Sequence, residues 1–347
     1  MNTSRLNLPL KKSSKYIEIV ASNKSRLNAM NKTSREAVME ALSERFDKVR
    51  ITIIKDELDL VRLVEKKPDL VVLGMKLILL NPTLGYDKSP KIWLSDYLTE
   101  NNINFTGSES SALTLEYDKQ DAKQKVIDKG LNSSAYFIST FDMPNFKHNL
   151  EFPLFVKPTN RGNSKGIDEN SIVYNQLDLR NKIMKIHNEY DSDVLIEEYL
   201  PGREFSVAVI KQVNSNKLLA MPIEITAPKD ENGNRFLSET VKKADSEEVN
   251  AVSSVKLKLS LNKLAIDVFR ALGSRDYGRI DMRLDALGIP SFIEANLMPG
   301  LSRQGYLSRC FYINEKIKYN DMILQIINEG FSRTVNVFPE EVLETIN

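Results

Sequence analysis

Short apolar runs alternate with amphipathic stretches along the first third of the chain. Three of these runs are rich in β-branched or other apolar residues and predict strands, at 16–22, 49–55 and 69–74. The stretches between them place apolar side chains at helical spacing and predict helices. Strands separated by helices indicate a parallel sheet with right-handed crossovers. We therefore predict an open parallel α/β domain over residues 1–115.

Two further elements are predicted near the end of this domain. Ser89 followed by Pro90 is typical of a helix start, with a capping residue before a proline at the first helical position. The run INFTG, at 103–107, predicts a strand that closes the unit.

The pattern changes after residue 115. One helix is predicted at 116–130 and another at 260–272. The region between them is dense in predicted strands, at 152–159, 193–200, 203–211 and 218–225. After the second helix, two alternating runs flank a turn at Leu287–Pro290 and predict an antiparallel hairpin. The segment at 227–254 is polar and predicts a long loop with little regular structure, which we interpret as a functional lid.

Composition narrows the classes of function. The 347 residues include 48 Lys plus Arg and 47 Asp plus Glu, so the net charge of +1 gives no global field for nucleic acid. The longest apolar run, Leu70–Leu80, is shorter than the roughly 20 residues of a membrane helix. With one cysteine and two histidines, any divalent metal would need oxygen ligands. We expect a cytoplasmic protein without membrane or nucleic-acid partners.

The predicted hairpin carries four polar side chains on otherwise apolar strands. Arg279 and Asp281 are two residues apart, as are Glu294 and Asn296, so each pair points to one face of its strand. Pairing across the turn would bring two carboxylates and an amide oxygen together beside the arginine. Such a set of oxygen ligands suits Mg²⁺. The alternative is a structural ion pair between Arg279 and one of the acids.

Two other segments are candidates for binding a nucleotide. Lys157 ends a predicted strand, and Gly162 and Gly166 flank a polar bend whose backbone amides could approach phosphates. The strand that ends at 197–200 turns at Pro-Gly and resumes with Glu204, so it could offer backbone groups to an adenine and a carboxylate to a ribose. The alternatives are an exposed polar hairpin and a plain β-turn.

The turn after the predicted hairpin is a third candidate. In MPGLSRQGY, at 298–306, the backbone of Gly300 and the side chain of Arg303 could contact a carboxylate. A connecting loop explains the same residues equally well.

In this order, the segments resemble the ATP-grasp superfamily, and most closely the D-alanine–D-alanine ligase family. YDKQDAKQKVIDKGL resembles the entry helix of that family, FPLFVKPTNRGNSKGI its phosphate loop and VLIEEYLPGREFSVAV its adenine-binding strand. YGRIDMRLDALGIPSFIEANLMPGLS resembles its metal-binding hairpin and is the most specific match. The resemblance implies a two-part ATP-grasp fold after the first domain, with subdomains at 116–196 and 197–347.

The resemblance also implies an ATP site. Its members would contact phosphates, adenine or ribose, and they are Lys119, Lys157, Ser164, Glu197, Tyr199, Leu200 and Glu204. Within this set, Lys119 and Lys157 would contact the phosphates. Glu197 and Leu200 would frame the adenine, and Glu204 would bind the ribose.

A metal site and a catalytic group are implied in the same way. Two Mg²⁺ ions, with Mn²⁺ as a substitute, would be held by Asp281, Glu294 and Asn296. Arg279 would stabilise an oxyanion. Lys242 or Lys243, in the lid, would reach the γ-phosphate, and the spacing does not distinguish these two lysines.

The activity that the resemblance implies is ATP-dependent coupling of a carboxylate to an amine through an acyl phosphate. D-alanine–D-alanine ligation is the first candidate. The alternatives are ligation of a different amino acid to an amino acid, a peptide or a carrier, and a non-catalytic nucleotide-binding protein. We expect a small amino-acid or carboxylate substrate, and a homodimer is consistent with the family.

Departures from the family pattern cluster at the substrate end. No acid occurs between Ser22 and Ser34, where the family has a glutamate that holds an amine. Gly305 stands where the family has a serine that grips a carboxylate. A basic stretch, formed by Lys24, Arg26, Lys32 and Arg35, favours an acidic or carboxylate-bearing substrate. The identity of both substrates therefore stays open.

Overall fold

The computed structural model describes residues 12–23, 28–140, 149–162, 164–212 and 215–331. Within these ranges, α-helices are combined with one parallel and several antiparallel sheets, as the sequence predicts. None of the helices in the described ranges combines the length and apolar character needed to cross a bilayer. Lys24, Arg26 and Asn163 lie outside the described residues.

A three-stranded parallel sheet opens the fold. Strand β1 (Ser13–Ala21) lies between β2 (Phe46–Ile53) and β3 (Leu70–Leu73) and pairs in parallel with both. Helices α1 (Lys32–Ser43) and α2 (Glu57–Glu65) make the two connections. The last six residues of β1 are buried, as expected for the central strand of a parallel sheet covered by helices. The predicted open parallel α/β arrangement is confirmed.

The predicted helix start at Ser89-Pro90 is wrong. The next three residues form an antiparallel strand, and the Ser89 hydroxyl accepts a hydrogen bond of 3.0 Å from the backbone N–H of Asn81 rather than capping a helix. The predicted strand at 103–107 is reduced to an isolated bridge between Val71 and Phe105. The elements of this region, in chain order, are β4 (Leu77–Leu79), α3 (Gly85–Lys88), β5 (Lys91–Trp93), α4 (Leu94–Glu100) and α5 (Ser110–Tyr117).

A four-stranded antiparallel sheet follows, with the order β6-β9-β7-β8. Its small core joins apolar residues of β7 and β9 to one face of helix α7, including Leu154, Ile196 and Ile183. The elements are α6 (Lys119–Asp128), β6 (Tyr136–Ser139), β7 (Leu154–Pro158), β8 (Ile172–Val173), α7 (Gln176–Tyr190) and β9 (Val194–Glu198).

The last sheet has five antiparallel strands in the order β12-β11-β10-β13-β14. Phe205 and Val207, on β10, belong to a core shared with α9, whereas Ala208 belongs to a core shared with α10. Successive strand residues alternate between faces, so the two helices cover opposite sides. The elements are β10 (Glu204–Lys211), β11 (Leu218–Thr226), α8 (Glu239–Ala244), β12 (Glu248–Ala251), α9 (Val255–Ala271), β13 (Tyr277–Leu284), β14 (Pro290–Asn296), α10 (Tyr306–Glu315) and α11 (Tyr319–Phe331).

The prediction that 227–254 has little regular structure is wrong. This lid segment contains α8 and β12, and β12 adds to the sheet as an edge strand on β11. Ser238 caps α8 by accepting a hydrogen bond of 3.1 Å from the backbone N–H of Val241. Helix α8 has no buried residue, so it lacks the apolar periodicity on which the prediction relied.

Candidate active site

The register of β13 and β14 brings the four polar hairpin residues onto one face. Arg279 lies opposite Asn296, and Asp281 lies opposite Glu294. Residues directly opposite in an antiparallel pair share a face of the sheet. The predicted convergence of these side chains is therefore confirmed.

Arg279 and Asp281 form an ion pair on this face. Nε and Nη2 of Arg279 donate hydrogen bonds of 2.9 and 2.8 Å to the Asp281 carboxylate, and the Ser206 hydroxyl donates another of 2.6 Å. Burial lowers the pKa of Arg279, but the charge and hydrogen bonds of Asp281 outweigh it, so the net shift is upward. The ion pair considered as an alternative from the sequence is thus present. Nη1 of Arg279 has no hydrogen-bond partner among the described residues.

Glu294 and Asn296 are different, because neither side chain makes a hydrogen bond or an ion pair with a described residue. Burial by itself would raise the pKa of Glu294, but the nearby charges of Lys119 and Lys242 outweigh it and hold that pKa below its usual value. Glu294 is therefore an ionised carboxylate without a fixed partner. This is the state in which a carboxylate binds a cation most readily.

A buried glutamate holds two lysines at the floor of the site. The carboxylate of Glu197 lies 2.6 Å from Nζ of Lys157 and 2.8 Å from Nζ of Lys123, and the Ser134 hydroxyl donates to it at 3.0 Å. Burial would raise the pKa of Glu197, but the two lysines lower it to about 2. The sequence suggested adenine as the contact of Glu197, and the structure pairs its carboxylate with lysines. We therefore expect the backbone at 197–200, rather than this carboxylate, to contact a base.

Lys123 was missed from the sequence, although a signal was present. It lies four residues after Lys119 on α6 and therefore on the same helical face. Both side chains are buried, at 0% and 7% exposure, where lysine is rare unless it is paired. Lys119 donates hydrogen bonds of 2.5 and 3.4 Å to the backbone oxygens of Arg161 and Thr159, and burial lowers its pKa to about 8.

The two antiparallel sheets enclose a cavity between them. Most of the candidate residues line it, and these are Lys157, Ser164, Glu197, Tyr199, Leu200, Glu204, Lys242, Asp281 and Glu294. Phe155, Ile167 and Phe236 supply apolar walls. A second cavity of about 370 Å³ shares Tyr199, Glu204 and Arg283 with the first.

Arg283 lines both cavities and was also missed from the sequence. Its Nη1 lies 3.3 Å from the Glu204 carboxylate, and Nη2 donates to the Tyr199 hydroxyl at 3.3 Å and to the backbone oxygen of Arg235 at 2.6 Å. Burial raises the pKa of Glu204 despite this arginine. The signal in the sequence was the continued alternation of β13, on which Arg279, Asp281 and Arg283 share a face.

The structure distinguishes the two lid lysines. Lys242 lines the cavity, and its ammonium has no hydrogen bond or ion pair with the described residues. Lys243 does not line the cavity; its side chain is 75% exposed and pairs with Glu239 at 2.8 Å. Lys242 is therefore the lysine that can reach a ligand.

Gly300 and Arg303 do not line either cavity. Arg303 donates a hydrogen bond of 2.9 Å to Glu40 of α1 and lies over the ring of Tyr319 at 4.6 Å. A side chain at Gly300 would come within 3.0 Å of the backbone oxygen of Ala29. The suggested carboxylate pocket at these residues is at odds with this arrangement, because the charge of Arg303 is already paired.

Comparisons with known proteins agree with this geometry. The family model described as "D-ala D-ala ligase C-terminus" matches residues 134–328. The D-alanine–D-alanine ligase of Lacticaseibacillus casei is 27% identical over 234 residues, covering 66% of this chain and 61% of that protein. The ligase of the same name from Aquifex aeolicus is 27% identical over 274 residues, covering 78% of this chain and 86% of that protein.

An uncharacterised Sinorhizobium fredii protein, y4sG, is 30% identical over 203 residues, and this chain spans only 58% of its length. Among solved structures, the D-alanine–D-alanine ligase of Bacillus anthracis complexed with ATP has a TM-score of 0.68 at 21% identity, covering 92% of this chain and 98% of that one. VanG D-Ala:D-Ser ligase from Enterococcus faecalis also has a TM-score of 0.68, at 18% identity, covering 92% of this chain and 100% of that one. The fold is thus that of these ligases, and by its match over residues 134–328 the chain belongs to the D-alanine–D-alanine ligase C-terminal family.

Proposed function

We propose that this protein is an ATP-dependent ligase that joins a carboxylate to an amine through an acyl phosphate. The observation that carries the proposal is the unpaired Glu294, which lies beside the Arg279–Asp281 pair and in the field of three lysines. Relatives named as D-alanine–D-alanine ligases support the same activity. A scaffold without chemistry would have no use for a buried carboxylate that lacks a partner.

ATP is the proposed nucleotide, as in the Bacillus anthracis complex. Lys119, Lys157 and the loop around Ser164 would bind its phosphates, since lysines act as point charges for phosphate. The backbone after Glu197 and the side chains of Tyr199 and Leu200 would frame the adenine. Glu204 would accept the ribose hydroxyls.

Mg²⁺, or Mn²⁺ in its place, would be bound by Asp281, Glu294 and Asn296. The described residues include no group of three or more His, Cys, Asp or Glu side chains able to hold a metal. Phosphate oxygens and water would therefore complete the coordination, as Mg²⁺ prefers. When bound, the metal neutralises the charge of the transferring phosphoryl group.

The chain's own residues serve two bond-forming steps. In the first, an oxygen of the carboxylate substrate attacks the γ-phosphorus of ATP, and the bond between that phosphorus and the bridging oxygen of the β-phosphate breaks. The products of this step are ADP and an acyl phosphate. Lys242 would neutralise the charge on the transferring group. In the second, the amine nitrogen bonds to the acyl carbon, the bond from that carbon to the phosphate oxygen breaks, and inorganic phosphate leaves with the proton that the nitrogen loses. The free Nη1 of Arg279 would stabilise the tetrahedral oxyanion, while Asp281 holds the guanidinium in place.

The lid segment would exclude water from the acyl phosphate. It carries Lys242 into the cavity, and Phe236 forms part of the cavity wall. The backbone N–H of Glu239, at the start of α8, donates to the backbone oxygen of Ile167 at 3.1 Å. The lid is thereby joined to the phosphate loop, so nucleotide binding and closure would occur together.

ADP release in the presence of Mg²⁺ and pooled D- and L-amino acids tests this proposal. We expect release only when an amino acid is added, and loss of that release in Glu294→Gln. Release that is independent of every amino acid would contradict ligation. The absence of release with any pool, together with intact ATP binding, would favour a nucleotide-binding scaffold.

A further inference from the structure

A tyrosine joins the lid segment to the catalytic arginine. Tyr306 is the first residue of α10, and its ring centroid lies 5.3 Å from the guanidinium carbon of Arg279. Its hydroxyl donates a hydrogen bond to Oε1 of Glu247, between α8 and β12. Burial and this glutamate raise the pKa of Tyr306, so the hydroxyl remains a donor at neutral pH. Tyr306 therefore links Glu247, on the lid segment, to Arg279.

The second carboxylate oxygen of Glu247 is the unusual feature. Oε2 is buried and has no hydrogen-bond partner among the described residues. A buried acceptor without a donor is unfavourable. Neither Arg279 nor Arg309 donates to this oxygen; Arg279 donates to Asp281, and Arg309 lies 3.6 Å from Asp245. A ligand with a cationic donor would satisfy this oxygen.

The position of Glu247 fits the substrate rather than the nucleotide. The residue is not part of the lining of the cavity between the two antiparallel sheets. It is instead joined to Arg279 through Tyr306, whose ring lies over the guanidinium that would meet the reacting carbonyl. An amino acid carries its α-ammonium group two bonds from its carboxyl carbon. An acid placed near the carbonyl site is therefore well placed to bind that group.

The loop between β1 and α1 offers no acid that could bind the ammonium group. The segment from Ser22 to Ser34 contains neither Asp nor Glu, so it offers no carboxylate to an ammonium group. Glu116 does lie near the end of β14, but its carboxylate accepts hydrogen bonds from the backbone N–H groups of Leu297 and Met298, at 2.8 and 3.1 Å, and pairs with Lys76. Asp281 is paired with Arg279, and Glu294 is assigned to the metal. Among the described residues, Glu247 is the acid that Tyr306 links to Arg279, and one of its oxygens is unbonded.

We propose that Glu247, oriented by Tyr306, binds the α-ammonium group of the amino acid whose carboxylate is activated. This inference rests on the proposed ligase function. It assigns the selection of amino acids over plain carboxylic acids to the lid, so that closure and recognition of the ammonium group are a single event. Tyr306 is a positioning residue in this arrangement.

The test compares an amino acid with the acid that lacks its amino group, for example alanine with propionate. ADP release gives kcat/KM for each, and the ratio of the two values measures recognition of the ammonium group. We expect Glu247→Gln to lower this ratio by roughly 10–100-fold, the range of a charged hydrogen bond. We expect Glu247→Asp to retain part of the ratio, and Tyr306→Phe, which keeps the ring over Arg279, to lower it less than Glu247→Gln.

Asp245→Asn is the matched control, because Asp245 lies on the same segment and also contacts α10. We expect it to leave the ratio unchanged. A merely structural role of Glu247 would lower both kcat/KM values together and leave their ratio intact, and this result would overturn the inference while the ligase function stands. ATP binding by each variant verifies its fold. Wild-type protein that releases no ADP with any acid would overturn the ligase function itself.

Discussion

Asp281 and Glu294 lie directly opposite each other on β13 and β14, although both are acids. Like charges in opposite positions of a ladder are unfavourable. Arg279 compensates Asp281 through two hydrogen bonds, whereas Glu294 has no paired cation among the described residues. The field of Lys119 and Lys242 keeps Glu294 ionised. This asymmetry makes Glu294 the carboxylate that is free for a ligand.

Replacing Glu294 by Gln tests that asymmetry. We expect a loss of ADP release of about 10²-fold or more, since removal of a group aimed at developing charge costs about 10²–10³ in rate. The free energy of unfolding should change by less than about 1 kcal/mol, because the variant removes no hydrogen bond or ion pair with a described residue. Kinetics and urea unfolding measure the two effects. Asp267→Asn, a surface acid paired with Lys263 at 2.7 Å, is the control and should change neither.

Lys123 and Glu197 test the buried network. Lys123→Met leaves the Glu197 carboxylate with Lys157 and Ser134 alone, so we expect a destabilisation of about 2–4 kcal/mol in urea unfolding. The double variant Lys123→Met/Glu197→Gln should be less stable still, since it leaves the buried Lys157 without its carboxylate partner. A Lys123→Met protein as stable as the wild type would show that the pair contributes nothing.

Lys119 predicts a pH dependence of nucleotide binding. Its pKa is lowered to about 8 by burial, so the ammonium that would contact the phosphates is lost as pH rises through about 8. We expect the Kd for ATP, measured by calorimetry between pH 7 and about 9.5, to increase over this range. Lys119→Arg should flatten the profile, because arginine keeps its charge. A wild-type profile that is flat above pH 8 would argue against a role for this lysine.

The lowered pKa of Lys119 also makes the free energy of unfolding depend on pH. The folded pKa lies below the unfolded value of roughly 10.4, so the unfolded chain binds more protons between about pH 8 and 10. The contribution of Lys119 therefore favours the folded state more strongly as pH rises through that window. Comparison of wild type with Lys119→Met by urea unfolding at several pH values isolates this contribution.

The neighbouring lysines of α8 form a matched pair. Lys242→Met should lower kcat by about 10²-fold or more while ATP still binds, because its charge is aimed at the transferring group. Lys243→Met removes an exposed pair with Glu239 and should change kcat by less than about twofold, as surface pairs contribute little. Equal losses in both variants would contradict the assignment of Lys242.

Much of the fold was predictable because its strands carry clear signals. The β13–β14 hairpin combines period-2 alternation with a Gly-Pro-containing turn, and these two features fix which side chains share a face. The strands that end at Pro158 and Glu198 follow from apolar runs in the same way. The division into a central and a C-terminal subdomain at residue 196 remains a prediction.

The features that the sequence did not predict depend on tertiary contacts. Helix α8 is wholly without buried residues, so no periodicity marks it. Lys123 shares a helical face with Lys119, but the partner that explains its burial, Glu197, comes from β9. Arg303 looked free in a loop, but α1 supplies Glu40 as its partner. In each case, the missing information was the neighbour rather than the residue.

The most direct test of the account follows the oxygen atoms of the substrate. If the carboxylate is activated by phosphorylation, one of its oxygens must leave with the phosphate when the amide bond forms. With an amino acid labelled with ¹⁸O in its carboxylate, we expect mass spectrometry to find one ¹⁸O atom in the inorganic phosphate and an amide product of matching mass. Unlabelled phosphate, or phosphate without any amide, would contradict ligation through an acyl phosphate.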